Sequence, residues 1–359
     1  MKILPLAGAA VAAIVAIFVI LSVVSANDPN KNEVRVAFFA NISHAVPIVG
    51  MENGYYSDQL GETKIKTKVV DSGPEAIEAL FVNSVDLAYV GPAPFVNGYV
   101  KSGGEGIKII SGAANNGASF VVQKDSTISD PSDLAGKKIA APFVGNTQDV
   151  SLRNYLAENG LKPAEKGGNV IVYNIANPEI YTIFAKGEID AAWVPEPTAT
   201  MLVENLGGKR LFQEQDLWPN KQFPSVLLVG RADYIEKHPD IIQKFLLAHE
   251  KSIEWINQNP AQTEATYIKF YKSHTGKTLP ENIVHNSFSQ ISFTNQIDSD
   301  AIDLFAERAY SLGYLGRHGY SLDDIYANTM EVISWQSYKQ KTLSSILSMM
   351  ENRSRHWVE

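Results

Sequence analysis

The chain has 359 residues, 19% of them charged, with a formal net charge of −8 and no cysteine. The acidic balance speaks against nucleic-acid partners. The missing thiol excludes disulfides, a thiolate nucleophile, cysteine-based metal sites and a lipid-modified cysteine, but a chain of this length can build a core without disulfide support.

Lys2 is the only charge before Asp28, and residues 3–26 (ILPLAGAAVAAIVAIFVILSVVSA) are apolar or small. A positive start, an apolar run and the Val24-Ser25-Ala26 ending read as an export signal. The run is also long enough to cross a bilayer as a helix, so an uncleaved N-terminal anchor is the equal alternative. Both readings put the remainder outside the cytoplasm, where roughly 330 residues correspond to two domains or lobes. A buried core helix would explain neither the terminal placement nor the lack of an amphipathic pattern. Only Met1-Lys2 precede the run, so no signalling module is expected across the membrane.

After a polar spacer at 27–32, residues 34–40 (VRVAFFA), 64–71, 86–90 and 107–112 are rich in β-branched and aromatic residues and predict strands. Residues 44–55, 74–83 and 93–101 predict the helices between them. Pro74 suits a first turn, and Ala76, Leu80 and Phe81 fall on one helical face. Such alternation implies a mostly parallel sheet covered on both faces. It restarts after 119–123 (SFVVQ), with strands expected at 138–141, 170–175, 191–194 and 210–212 and helices at 146–158, 179–186 and 197–205.

One more strand, 223–229 (FPSVLLV), precedes a stretch expected to be almost wholly helical from Asp233. There Ile241, Phe245, Ala248, Ile253 and Trp255 mark one long amphipathic helix. From about Asp324 the chain turns polar and basic and reads as a C-terminal surface helix. The economical arrangement inserts the second α/β unit into the first, with 119–123 and 223–229 as the two crossing strands. No solenoid repeat or low-complexity segment is present.

In open α/β sheets ligands sit beyond the carboxyl ends of strands, where loops lead into helix N-termini. Four junctions of this kind stand out: Asn41-Ile42-Ser43-His44, Gly91-Pro92-Ala93-Pro94, Gly145-Asn146-Thr147-Gln148-Asp149 and Trp193-Val194-Pro195-Glu196-Pro197. None contains Lys or Arg. A helix N-terminus offers unpaired N–H groups and a partial positive charge, which hold an oxyanion without a salt bridge. Ser43, Asn146 and Thr147 have a competing role as simple helix caps.

Glu196 is the sharpest single residue. Before Pro197 it can be an N-cap; facing a cleft, it would demand a cationic or hydrogen-bond-donating end on the ligand. Trp193 would supply an apolar or cation–π wall, or merely end a buried strand. His44 can donate to an oxyanion or serve the helix start. His249 and His285 fall in helical contexts expected to face solvent, and neither is expected to bind ligand. No metal-ligand spacing, nucleophile elbow or P-loop is present.

The stretches GASFVVQKDSTISDPSDLAGKKIAAPFVGNTQDVSLRNYLAENGL (117–161), VDLAYVGPAPFVNGY (85–99), GEIDAAWVPEPTATMLV (187–203) and FPSVLLVGRADYIEKHPDIIQKFL (223–246) resemble the nitrate/sulfonate/taurine-type substrate-binding proteins of ABC transporters. The likeness runs from about Val34 to Tyr326. It implies an α/β type II periplasmic-binding-protein fold: two lobes, two crossover strands and a helical C-terminal extension. The first lobe would comprise 33–118 and 224–346, the second 119–223, and 347–359 a tail. The resemblance implies a pocket lined by Asn41, His44, Gly91, Pro92, Ala93, Asn146, Thr147, Gln148, Trp193 and Glu196, with no catalytic residue, metal or cofactor.

The expected function is capture of a small oxyanion-type solute (sulfonate, taurine or nitrate-like) for an ABC permease and its ATPase subunit. A thiamine-precursor pyrimidine is the alternative ligand. Pyrimidine-precursor synthases of thiamine biosynthesis resemble the same family but look to a cysteine-rich motif. Its absence here speaks against an enzyme. The lipidation cysteine of many bacterial members is also missing, which makes 3–26 the candidate anchor.

Overall fold

The computed structural model describes residues 32–327. The apolar run 3–26 lies outside them, as do the 347–359 tail and nearly all of the expected C-terminal surface helix. Among the described residues no helix is long and apolar enough to cross a membrane.

The first half opens with β1 (Glu33–Phe38), a 3₁₀ turn at Ile42–His44, α1 (Ala45–Glu52) and α2 (Tyr55–Leu60). The single helix expected over 44–55 is thus divided, because Gly54 takes a left-handed conformation (φ +76°) between its two pieces. Next come β2 (Lys64–Val69), α3 (Gly73–Phe81), β3 (Leu87–Val90), α4 (Pro92–Lys101) and β4 (Ile107–Asn116). Ser72 caps α3, accepting the Glu75 N–H at 3.3 Å, and Pro74 sits in its first turn. Ala76, Ile77 and Leu80 form the buried face of α3; Phe81, expected there, is 41% exposed.

The second half holds β5 (Ala118–Val122), β6 (Lys138–Ala141), α5 (Thr147–Glu158), β7 (Ile171–Asn174), α6 (Asn177–Ala185), β8 (Ala191–Pro195), α7 (Thr198–Glu204) and β9 (Lys209–Gln213). The chain then returns through β10 (Pro224–Arg231) into α8 (Ala232–Lys237), α9 (Pro239–Gln258), α10 (Pro260–Thr275), α11 (Glu281–Phe288), β11 (Ile291–Phe293) and α12 (Ser299–Ser311). β11 interrupts the stretch expected to be helical. It is only three residues long and is held by pairing to the end of β4.

Among the described residues the strands form two sheets, ordered β11-β4-β10-β3-β1-β2 and β7-β6-β8-β5-β9. β1 runs parallel to β2 and β3, and β6 parallel to β7 and β8, while β10 and β5 enter their sheets antiparallel. The strands expected to cross therefore each stay within one sheet. The crossings are the links beside them: Asn116 and Gly117, both left-handed (φ 70° and 80°), turn β4 directly into β5. The return runs through residues 214–223. The two links are tied together, since Asn116 N–H donates to Phe223 O at 2.9 Å and Phe223 N–H to Asn116 Oδ1 at 3.1 Å.

His249, expected at the surface, is fully buried on α9, which packs its apolar face on α1 and α2. Its Nε2 lies 2.8 Å from Gly112 O and its Nδ1 2.8 Å from Tyr89 Oη. A carbonyl can only accept, so Nε2 carries the proton and Tyr89 O–H donates to Nδ1. Tyr56 O–H then donates to Tyr89 Oη at 2.7 Å. Burial pushes the His249 pKa down to about 4, in keeping with a neutral ring. His285 is exposed and lies 2.9 Å from Glu264.

Candidate ligand-binding site

A cavity of about 60 Å³ lies between the two sheets. Lobe one contributes Phe39, Asn41, Ser43, His44, Asp71, Gly73, Gly91 and Pro94, and lobe two Pro142, Phe143, Asn146, Thr147, Gln148, Asn177 and Pro195, with Gly117 and Ser225 beside the crossings. Nearly all sit just after a strand and just before a helix, as chain geometry dictates for α/β layers. No Lys or Arg is among them. Asp71 carries the one formal charge of the lining.

The strongest donor group is the start of α5. Its first bond to a carbonyl comes from Val150 N–H to Asn146 O, so the N–H groups of Thr147, Gln148 and Asp149 have no backbone partner among the described residues. Asn146 holds the N-cap position but does not cap. Its Oδ1 instead accepts the Gly73 N–H at 2.8 Å, a bond between the lobes. Thr147 and Gln148, which carry two of these amides, are more than nine-tenths buried and line the cavity. At α4, Pro92 and Pro94 remove two N–H groups, and at α3 Ser72 and Asn146 already occupy two donors.

His44 is 2% exposed and stacks on Phe39 at 4.4 Å. The Phe39 N–H donates to its Nδ1 at 3.4 Å, which assigns the proton of the neutral ring to Nε2. Desolvation drives the pKa down to about 3, so His44 offers the cavity a neutral N–H donor.

Of the residues expected from sequence, the structure brings together Asn41, His44, Gly91, Asn146, Thr147 and Gln148 around one cavity. Four do not line it. Pro92 occupies the first turn of α4, and Ala93 packs into the core cluster beneath it. Trp193 is in the second lobe's core against Phe120, Tyr155 and Phe212, donating Nε1–H to Glu214 at 2.8 Å.

Glu196 is fully buried and turned away from the cavity. It accepts the Thr200 N–H at 3.0 Å and pairs with Arg210 at 3.1 Å. Burial raises its pKa, with Arg210 and Thr200 pulling the other way. The carboxylate caps α7, and the argument that it selects a ligand charge falls with that.

Sequence reading misses Asp71, Phe143, Asn177 and Ser225. Asp71 falls at the end of an expected strand and Asn177 two residues before an expected helix start. The Asp-Ser-Gly-Pro turn at 71–74 and the Asn177-Pro178 pair are the available signals.

Further contacts join the lobes, among them Arg210 and Gln213 of β9 donating to Gln290 at 3.0 and 2.7 Å. On one flank, Tyr314 O–H donates to Asp149 Oδ2 at 2.5 Å; Asp149 also accepts from Gly145 N–H at 2.9 Å, Arg153 Nε at 2.7 Å and Asn174 Nδ2 at 2.8 Å. Asn282 and Asn286 of α11 also donate to Glu204 of α7.

Residues 27–269 match the profile of the NMT1-like family. The chain is 29% identical to the taurine-binding periplasmic protein of Escherichia coli (strain K12) over 197 residues, covering 55% of this chain and 58% of that protein. It is 27% identical to the putative aliphatic sulfonates-binding protein of Bacillus subtilis (strain 168), covering 77% and 80%. The alkanesulfonate-binding protein SsuA of Xanthomonas axonopodis pv. citri, solved with MOPS bound, is similar in fold with a TM-score of 0.67 at 18% identity, covering 81% of this chain and 96% of that one. The nitrate-binding protein NrtA of Synechocystis PCC 6803 is similar with a TM-score of 0.65 at 18% identity, covering 79% and 82%. With the profile spanning well over half of its length, the chain belongs to the NMT1-like family.

Proposed function

We propose that this protein is the extracytoplasmic solute-binding subunit of an ABC importer, capturing a small solute with an oxyanion group between its lobes and delivering it to a permease. The observation that carries the reading is the start of α5: unpartnered N–H groups at Thr147 and Gln148, two residues that line a cation-free cavity. A helix N-terminus in such a place holds an anion by dipole and hydrogen bonds without an ion pair. At about 60 Å³ the cavity has room for several water molecules, the scale of a small solute. Relatives named as taurine-, sulfonate- and nitrate-binding proteins support the same ligand class.

No reaction is needed for this role. Four to six hydrogen bonds at a net ~1–2 kcal/mol each reach micromolar affinity. The run 3–26 would deliver the chain to the outer face and either be removed or stay as its anchor. N-terminal sequencing of the native membrane fraction decides between the two, a start at Asn27 ruling out the anchor.

The direct test is calorimetry against nitrate, short alkanesulfonates, 2-aminoethanesulfonate and a hydroxymethylpyrimidine. Binding of at least one oxyanion is expected. Binding of the pyrimidine alone would overturn the reading.

A further inference from the structure

The polar groups of the cavity are of two opposite kinds. Around the start of α5 they are donors. Three other residues that line the same space carry acceptors, a carboxylate on Asp71 and amide oxygens on Asn41 and Asn177. Both amide oxygens are buried and have no hydrogen-bond partner among the described residues. The Asp71 carboxylate likewise has no ion-pair or hydrogen-bond partner among the described residues. Its own N–H is taken by Glu75 Oε2 at 3.1 Å, and Glu75 also takes Lys68 at 3.5 Å. An oxyanion cannot satisfy any of these three oxygens, because it brings only lone pairs of its own.

We infer that the cavity is built for a solute with two unlike ends, an oxyanion at the α5 start and an ammonium or other N–H donor facing Asp71, Asn41 and Asn177. Asp71 is the residue that selects the donor end. The inference rests on the oxyanion reading above and narrows it. Neutral lining alone would accept nitrate or a bare alkanesulfonate equally well. An unpaired carboxylate on the lining opposes a purely anionic ligand and is offset only by positive charge. Asp71 is exposed while Thr147 and Gln148 are buried, so the head lies inside and the donor end reaches the rim.

The test is calorimetry of the full chain with three probes matched in head group: 2-aminoethanesulfonate, 2-hydroxyethanesulfonate and ethanesulfonate. The wild type is expected to bind the amino probe at least about tenfold more tightly than ethanesulfonate, with the hydroxy probe between them. In Asp71→Asn the amino probe should weaken about tenfold while ethanesulfonate tightens about two- to threefold, so that the preference disappears. Asn177→Ala should shift the preference the same way by a smaller factor.

Equal binding of all three probes by the wild type, or a preference that survives Asp71→Asn, overturns the inference and leaves the oxyanion reading standing. Failure of every sulfonate and of nitrate to bind the wild type overturns both.

Discussion

A Cβ built on Gly91 would stand 2.3 Å from Thr147 Oγ1, although the two residues belong to different lobes. The start of α4 and the start of α5 touch across the cleft, and Gly91 is what lets them. Its φ of −70° suits any residue, so the requirement is one of space and not of backbone conformation.

Gly91→Ala should therefore fold normally but resist closure. We expect ligand affinity to fall at least about tenfold, and small-angle scattering to show a decrease in radius on ligand addition for the wild type and none for the variant. Thr147→Ala alone should weaken binding about five- to tenfold through its lost hydroxyl, with little change in melting temperature. Thr147 Cβ would stand 3.5 Å from the added methyl, an ordinary contact, so the double variant should recover compaction, a non-additive result. Simple addition of the two defects would count against the contact.

Glu196→Gln should act on stability and not on selectivity. Losing the charge paired with Arg210 weakens a cap on α7 and leaves a half-buried guanidinium less well paired. A loss of about 1–3 kcal/mol in urea unfolding is expected, with solute affinity unchanged within twofold. A changed preference among the three sulfonates would put the carboxylate back in the cleft.

Tyr314→Phe removes one of four donors to Asp149 and the bond between lobes on that flank. Asp149 keeps three donors, so the second lobe should lose little stability. The closed arrangement loses one contact, and affinity should drop about threefold for every solute alike. A drop confined to one solute would mean that Tyr314 acts at the ligand itself.

Three fully buried groups with strongly displaced pKa values act on the pH dependence of stability. His44 and His249 are pushed down by burial to about 3 and about 4, below the ordinary 6.5. Their contributions are intact above about pH 6.5 and are lost as the pH falls, because only the unfolded chain takes up the protons. Glu214, fully buried on the second crossing with Ser151 and Trp193 donating to it, is raised by burial to about 7. Its contribution is intact below about pH 4.5 and is lost as the pH rises to about 7. Between pH 5 and 6 two histidines outweigh one glutamate, so these groups should lower stability by ~1.4 kcal/mol for that unit of acidification. Glu214→Gln removes the opposing group and should double the slope. Urea midpoints at pH 5, 6 and 7 check both values, and an unchanged slope in the variant would remove Glu214 from the account.

What can be read from sequence is whatever local chemistry decides. Ser72 before Gly-Pro marks the start of α3, because caps act within a few residues; Asn146 marks the start of α5 by its position, though its side chain is spent on Gly73. Glu196 misleads because its partner Arg210 lies on another strand, and only the pairing of β5 with both β8 and β9 brings them together. His249 looks exposed on a helix until the sheet supplies Tyr89 and Gly112. β11 is too short for any period to show. Asp71 and Asn177 each end or precede an element by a residue or two, and element boundaries are where periodicity has least to say.

That each lobe supplies part of the cavity lining also governs timing. Once the bonds between the lobes break, Tyr314 to Asp149 and Asn146 to Gly73 among them, the α5 amides move away from His44 and Asp71, and the solute keeps only part of its coordination. Escape is then limited by how often those few bonds break together, so dwell time in the closed cleft, more than speed of entry, separates a good solute from a poor one. A membrane partner that grips both halves and parts Tyr314 from Asp149 would discharge the cargo without touching the cavity.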